Sequence, residues 1–235
     1  MTSTSMYPML LDLQGKKSLV VGGGNVAVRK TKTLLELGGQ VKVVSVDFCE
    51  DFTDLWYEKR YGQNLEMIEK TYESGDLEGA SLAFACTDDK TLNVMIAKQA
   101  RERGVLVNCT SPPEESDFIV PATVFKGNLT ISVSTAGASP ALAKKLKEKI
   151  EQEFSEDWDK YVELLRHCRE ELQKVVKTEQ TRKECYYQLL ETDAVFEQAQ
   201  NANKDELKEL SKSIVEGIIT GGRLYNETDH RNQGK

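Results

Sequence analysis

The apolar positions of this chain follow one plan up to about residue 109 and a different plan afterwards. Residues 17–21 form a short apolar run, followed by glycines and then by helix formers that stop at Gly38 and Gly39. Residues 41–46, dense in β-branched side chains, predict a second buried strand. Residues 52–61 read as a helix and 65–70 as a strand with one wet face. Residues 81–86 predict another buried strand. Leu92, Ile96, Ala97 and Ala100 then mark the inner face of a helix closed by Gly104, and 105–108 a fifth strand. Strands alternating with helices predict a parallel sheet covered on both faces, an α/β domain. The apolar residues at 7–13 predict a segment packed at the sheet edge.

Two consecutive strands, 118–124 and 128–134, then join through Lys126, Gly127 and Asn128 as a β-hairpin. Two isolated strands are not stable alone, so the hairpin is expected to pair with another element, the same hairpin of a second subunit being one candidate. Ser139 followed by Pro140 is a helix start, with Leu142, Leu146, Ile150 and Phe154 as its expected buried stripe. Trp158, Tyr161, Leu165, Cys168, Leu172 and Val175 define an amphipathic helix in need of a partner. Leu207, Leu210, Ile214 and Ile218 repeat the pattern before Gly221 and Gly222, and the polar residues 226–235 are expected to be disordered.

Composition narrows the function classes. The 235 residues carry a formal charge of −7, which disfavours general nucleic-acid binding. No window is apolar enough for a membrane span, and the first ten residues lack a targeting pattern, so a cytoplasmic location is expected. Five scattered cysteines contain no C-x-x-C pair, and there are two histidines, His167 and His230, so no metal site is expected.

The chemistry-bearing pattern is Gly22, Gly24 and Ala27, a G-x-G-x-x-A between strand and helix. In dinucleotide-binding folds these small residues permit the turn, the approach of a pyrophosphate and close helix packing. Gly22, Gly24, Asn25 and Val26 are therefore the expected phosphate contacts, with a purely steric strand end as the alternative. Asp47, 25 residues after Gly22, is placed to accept from ribose hydroxyls and to favour NAD over NADP, though a turn or cap residue fits equally. Thr87 and Asn108 end further strands on the same side and are expected to flank the cofactor crevice.

The blocks YPMLLDLQGKKSLVVGGGNVAVRK, FACTDDKTLN, VNCTSPPEESDFIVPA and ISVSTAGASPALAKKLKEKIE resemble, in order and spacing, the siroheme-synthase dehydrogenase family. The resemblance covers residues 7 to about 151. It implies a Rossmann-type domain (1–111), a dimerisation and substrate region with the hairpin (112–150) and a helical C-terminal domain (151–225), with 226–235 as a tail. It further implies a homodimer of the stand-alone form that oxidises precorrin-2 to sirohydrochlorin with NAD, some members also inserting ferrous iron. A polycarboxylate tetrapyrrole needs a local cationic lining, for which Arg29, Lys30, Lys144 and Lys145 are candidates, solvated surface charge being the alternative for the lysines of the 140–153 stretch. The resemblance places Ser134, Thr135, Gly137 and Ser139 at the substrate. Where the family carries an acid/base aspartate this chain has Ser111, a poor general base, with Asp117 six residues on as the other candidate. The expected activity is precorrin-2 dehydrogenation. The alternatives are a bifunctional dehydrogenase and ferrochelatase, or a non-catalytic tetrapyrrole- or nucleotide-binding module.

Overall fold

A computed structural model describes residues 6–58 and 60–221; the predicted tail at 226–235, His230 and Gly222 lie outside them. The chain divides into two compact units, Met1–Val120 and Pro121–Lys235. The first holds five parallel strands, β1 (Lys17–Val21), β2 (Gln40–Ser45), β3 (Leu65–Glu69), β4 (Leu82–Ala85) and β5 (Leu106–Cys109), in the order β3-β2-β1-β4-β5. Its helices are α1 (Asn25–Glu36), α2 (Glu50–Tyr57) and α3 (Lys90–Glu102).

Alternate strand residues point to opposite faces. Val20, Val41, Val43 and Phe84 pack with Ala27, Leu34 and Phe52 on one face, while Leu19, Val21, Val44 and Ala83 pack with Ile96, Ala97 and Ala100 on the other. Both faces are covered, which is why these strands read as continuous apolar runs rather than alternating ones. The helix after β1 lies on one face and the helix after β4 on the other, so the strand order reverses between β1 and β4. In open α/β sheets that reversal opens a crevice beyond the carboxyl ends of the strands.

Three expectations shift. The second strand spans Gln40–Ser45, and α2 stops at Tyr57. Of the apolar residues at 7–13, Tyr7, Met9 and Leu10 are exposed and Leu13 is buried. Among the described residues of this unit one charged group is buried: Asp76 accepts from Lys42 Nζ (2.7 Å), Lys70 Nζ (3.0 Å) and the Glu73 N–H (2.9 Å). Burial alone pushes its carboxyl up, but the hydrogen bonds from Lys42, the Glu73 amide and Lys70 outweigh it, and the net shift is downward.

The second unit begins with the hairpin β6 (Ala122–Lys126) and β7 (Leu129–Val133), antiparallel with Val124 opposite Ile131. Helices α4 (Pro140–Glu153), α5 (Asp157–Val175), α6 (Glu179–Leu190), α7 (Asp193–Asn201) and α8 (Leu207–Ile219) follow. Tyr161, Leu165, Cys168 and Leu172 of α5 are buried against Leu189, Val195, Leu207 and Ile214, whereas Val175 is exposed. Asp159 of α5 accepts the Asn128 N–H (3.0 Å), which ties the hairpin turn to the helices. The hairpin and helices therefore lie in one unit, which begins at Pro121.

The expected first strand, 118–124, starts instead at Ala122, because residues 116–118 run back along β5. The α4 stripe also departs from expectation. Ala143 is its buried residue; Leu142 and Leu146 are exposed, and Ile150 and Phe154 are half-buried. The helix contacts the hairpin through its small residue and leaves the leucines outside. Among the described residues, no helix is long and apolar enough to cross a membrane.

Candidate functional site

The turn after β1 is built by three glycines with different duties. Gly22 has φ +123°, and a Cβ there would lie 2.5 Å from the Cys86 carbonyl oxygen at the end of β4. Gly23, the position between the motif glycines, is pressed onto the end of β2. A Cβ there would run into the Asp47 carbonyl oxygen and lie 2.8 Å from Ser45 Oγ, while the Gly23 carbonyl accepts the Cys49 N–H at 2.8 Å. Gly24, at φ −89° and ψ −179°, needs no special backbone, and nothing lies within 4 Å of a Cβ built on it. Ala27 is fully buried, which lets α1 sit close on the sheet.

Gly24 is the N-cap of α1, no side chain caps the first turn, and no acidic residue lies in it. The first-turn amides and the positive end of the helix dipole therefore face open space at Gly24, the arrangement that receives a phosphate. Asn25 is exposed and Val26 half-buried beside it. The open space and the uncapped first turn leave room for a dinucleotide pyrophosphate, which backbone rather than side chains would cradle. Asp47 lies exposed two residues beyond β2, its carbonyl against Gly23.

The ends of β4 and β5 are tightly cross-linked. Thr87 turns its hydroxyl inward, within 2.7 Å of Asn93 Oδ1 and 3.1 Å of the Asp89 carbonyl, so the side chain is not free as an expected cofactor ligand. Lys30 Nζ donates to Asn108 Oδ1 (2.8 Å) and lies 5.2 Å from the centre of the Phe84 ring. Asn108 Nδ2 donates to the Phe118 carbonyl (2.9 Å), and Phe118 packs edge-on against Phe84. Lys30 and Asn108 are thus bonded to each other at the strand ends. Burial lowers the Lys30 pKa, opposed by nearby Cys86 and reinforced by Arg29. The Cys86 thiol is pushed up by burial, moderated by the Thr110 hydroxyl and the Lys30 charge. Arg29 is exposed on α1.

Asp117 is also bonded within the fold. One carboxylate oxygen accepts Arg101 Nε (2.9 Å), the other accepts the Val107 N–H (3.0 Å), and its own N–H donates to the Val107 carbonyl (2.8 Å). Ser116 adds bonds to the Cys109 N–H and carbonyl. These contacts pin residues 116–118 alongside β5 and give both carboxylate oxygens of Asp117 partners within the fold. Ser111 is partly exposed at the β5 end, and its carbonyl accepts Asn93 Nδ2 (2.9 Å).

The second unit places the other candidates in one loop ahead of α4. Ser134 Oγ accepts the Ala136 N–H (3.1 Å), Thr135 Oγ1 the Ser139 N–H (3.0 Å), and Ser139 Oγ the Leu142 N–H (3.3 Å). Gly137 has φ +84° with open space about it. All three hydroxyls act as acceptors toward the backbone, and each retains an O–H to donate. Lys144 is exposed, 3.9 Å from Glu148. Gly23 and Asn93 escaped the sequence reading. Gly23 occupies a variable position of the motif; Asn93 had a signal, a polar residue in register with the inward Ile96, Ala97 and Ala100.

A backbone phosphate cradle at the reversal point of a parallel sheet defines a Rossmann-type nucleotide-binding protein. The family described as "Putative NAD(P)-binding" matches residues 9–122, and "Sirohaem biosynthesis protein central" matches 126–153. The siroheme synthase of Citrobacter koseri is 29% identical over 208 residues, 88% of this chain and 45% of that protein. The siroheme synthase of Pseudomonas aeruginosa is 37% identical over 144 residues, 61% of this chain and 30% of that protein. The chain thus spans less than half the length of these relatives. The solved structure of SirC, precorrin-2 dehydrogenase, superposes with a TM-score of 0.71 at 25% identity, covering 92% of this chain and all of that one. The chain belongs to the siroheme synthase N-terminal and precorrin-2 dehydrogenase family.

Proposed function

We propose that this chain oxidises precorrin-2 to sirohydrochlorin, with NAD as hydride acceptor. The observation that carries this reading is the open space at Gly24 on an uncapped helix start, in a chain similar to SirC, precorrin-2 dehydrogenase, over that protein's whole length. When bound, NAD takes up a hydride, while the substrate also loses a proton. The residues of this chain hold and orient. Amides at Gly24, Asn25 and Val26 face the pyrophosphate, and the exposed Asp47 supports NAD over NADP because its carboxylate would repel a 2′-phosphate.

Hydride transfer depends mainly on holding the two reacting carbons together, and the fixed ends of β4 and β5 supply that rigidity. Ser111, partly exposed at the β5 end, is proposed as a substrate contact rather than a base, since a hydroxyl is a poor base near neutral pH. The hydroxyl donors of Ser134, Thr135 and Ser139, the open backbone at Gly137, the amino end of α4 and the exposed Arg29, Lys144 and Lys145 suit the substrate's carboxylates. The exposed apolar side chains Phe125, Leu142 and Leu146 support a homodimer formed through the second unit. Purified protein mixed with precorrin-2 and NAD should release sirohydrochlorin and NADH in equal amounts. No turnover with either NAD or NADP would overturn the proposal.

A further inference from the structure

We infer that Asn93 is a positioning residue for this reaction, its buried amide locking the backbone after β4 and the backbone after β5 into one rigid lip of the crevice. The inference rests on the dehydrogenase reading. Asn93 is fully buried on the first turn of α3. Asparagine is a poor helix former, so local propensity does not explain it. Its Oδ1 takes the Thr87 N–H (3.2 Å) and lies 2.7 Å from the Thr87 hydroxyl, and its Nδ2 donates to the carbonyls of Thr87 and Ser111 (2.9 Å each). The whole hydrogen-bonding capacity of the amide is used, and its orientation is fixed because both carbonyls can only accept.

The place of these bonds matters as much as their number. The β4–β5 ladder ends with Ala85 opposite Cys109, and the Thr110 N–H adds a last bond to the Ala85 carbonyl. Beyond that point the ladder has ended, and Asn93 supplies the cross-link from Thr87 to Ser111. Asp89 anchors the helix turn by accepting the N–H groups of Thr91 and Leu92. Ser111 is thus held through its backbone from a helix on the far side of the sheet from α1, while the open space at Gly24 is left untouched.

The test compares wild type with Asn93→Asp, measuring kcat, KM for NAD, NAD affinity by calorimetry, and amide exchange of residues 86–88 and 108–113. An ionised carboxylate would face the Thr87 and Ser111 carbonyls with no proton to offer; burial and those oxygens favour its protonated form, which restores one donor. The variant's kcat should fall about tenfold near pH 8.5 and recover toward wild type near pH 6, one lost hydrogen bond being worth roughly that factor. Cys86, Asp88, Asp89, Lys90 and Cys109 are the titratable groups of the flanking segments, with Lys30 bonded to Asn108; all are present in both proteins, so the ratio of variant to wild type removes their contribution. NAD affinity should stay within about threefold.

A pH-independent ratio, or NAD affinity falling in step with kcat, would overturn the positioning role. If wild type itself turns over no precorrin-2, the reaction assignment fails; the exchange measurement then decides separately. Faster exchange of both segments near pH 8.5 than near pH 6, beyond the wild-type change, supports the lock, and unchanged exchange removes it. Should Asn93→Asp not fold, Asn93→Ser is read the same way. Its single hydroxyl keeps one donor, so kcat should fall with NAD affinity retained, and equal losses in both would refute the role.

Discussion

Replacing Gly24 and Gly23 separately by alanine should split folding from cofactor binding at one turn. At Gly24 the backbone angles suit any residue and no protein atom lies within 4 Å of an added Cβ. The free protein should therefore keep its stability to within about 1 kcal/mol, the range for exchanging glycine and alanine at an N-cap. The methyl instead enters the open space in which the pyrophosphate is proposed to rest. Overfilling a close-packed contact costs about 1–3 kcal/mol, which corresponds to a roughly 5- to 150-fold weaker Kd for NAD.

Gly23→Ala should behave in the opposite way. The added carbon runs into the Asp47 carbonyl and crowds Ser45 Oγ at 2.8 Å, and neither backbone can retreat without breaking the Cys49 N–H bond to Gly23. A loss of about 3 kcal/mol or more is expected, or a fall in Tm of roughly 6–12 °C for a chain of this size. Differential scanning fluorimetry with calorimetric NAD titration reads both quantities. A Gly24→Ala protein that binds NAD like wild type, or a Gly23→Ala protein as stable as wild type, would refute the division of duties.

Three further outcomes follow from the same structure. Asp117→Ala, which removes the bonds to Arg101 and the Val107 N–H, should destabilise by about 1–3 kcal/mol in urea unfolding, with kcat per folded molecule nearly unchanged; abolished turnover at unchanged stability would return Asp117 to the chemistry. The folded-state pKa of Asp76 lies below its unfolded value of about 4, so its stabilisation is complete above that pH and is lost as pH falls through the folded-state value. The stability gap between wild type and Asp76→Asn should accordingly narrow on acidification below about pH 4, and a gap constant with pH would contradict this. Leu146→Asp, on the exposed side of α4, should shift the protein from dimer to monomer in sedimentation with its helical circular dichroism retained; a wild-type monomer, or an unchanged dimer in the variant, would remove that surface from the interface.

Most of the first unit could be read from the sequence because a sheet buried on both faces writes apolar runs, and its turns and helix ends are marked by Gly22, Gly38 and Gly104. The α4 stripe was misjudged for a related reason. Helical spacing of Leu142 and Leu146 reports an apolar face but not whether this chain or a second copy covers it. At the site, the glycine pattern located the turn, while the crowding at Gly23 depends on Asp47, distant in sequence and brought close by sheet pairing. Lys30 and Asn108 are 78 residues apart and pair across the fold, as nothing in either neighbourhood indicates. Asp117 looked like a free carboxylate because its partners, Arg101 and the Val107 amide, become visible only once residues 116–118 fold back along β5.

The central claim is tested most directly by following sirohydrochlorin and NADH together after mixing the purified chain with precorrin-2 and NAD. The account predicts one NADH per sirohydrochlorin, with turnover sharply reduced in Gly24→Ala and NAD preferred to NADP. Sirohydrochlorin formed at the uncatalysed rate with either nucleotide, by a folded protein that binds NAD, would contradict it.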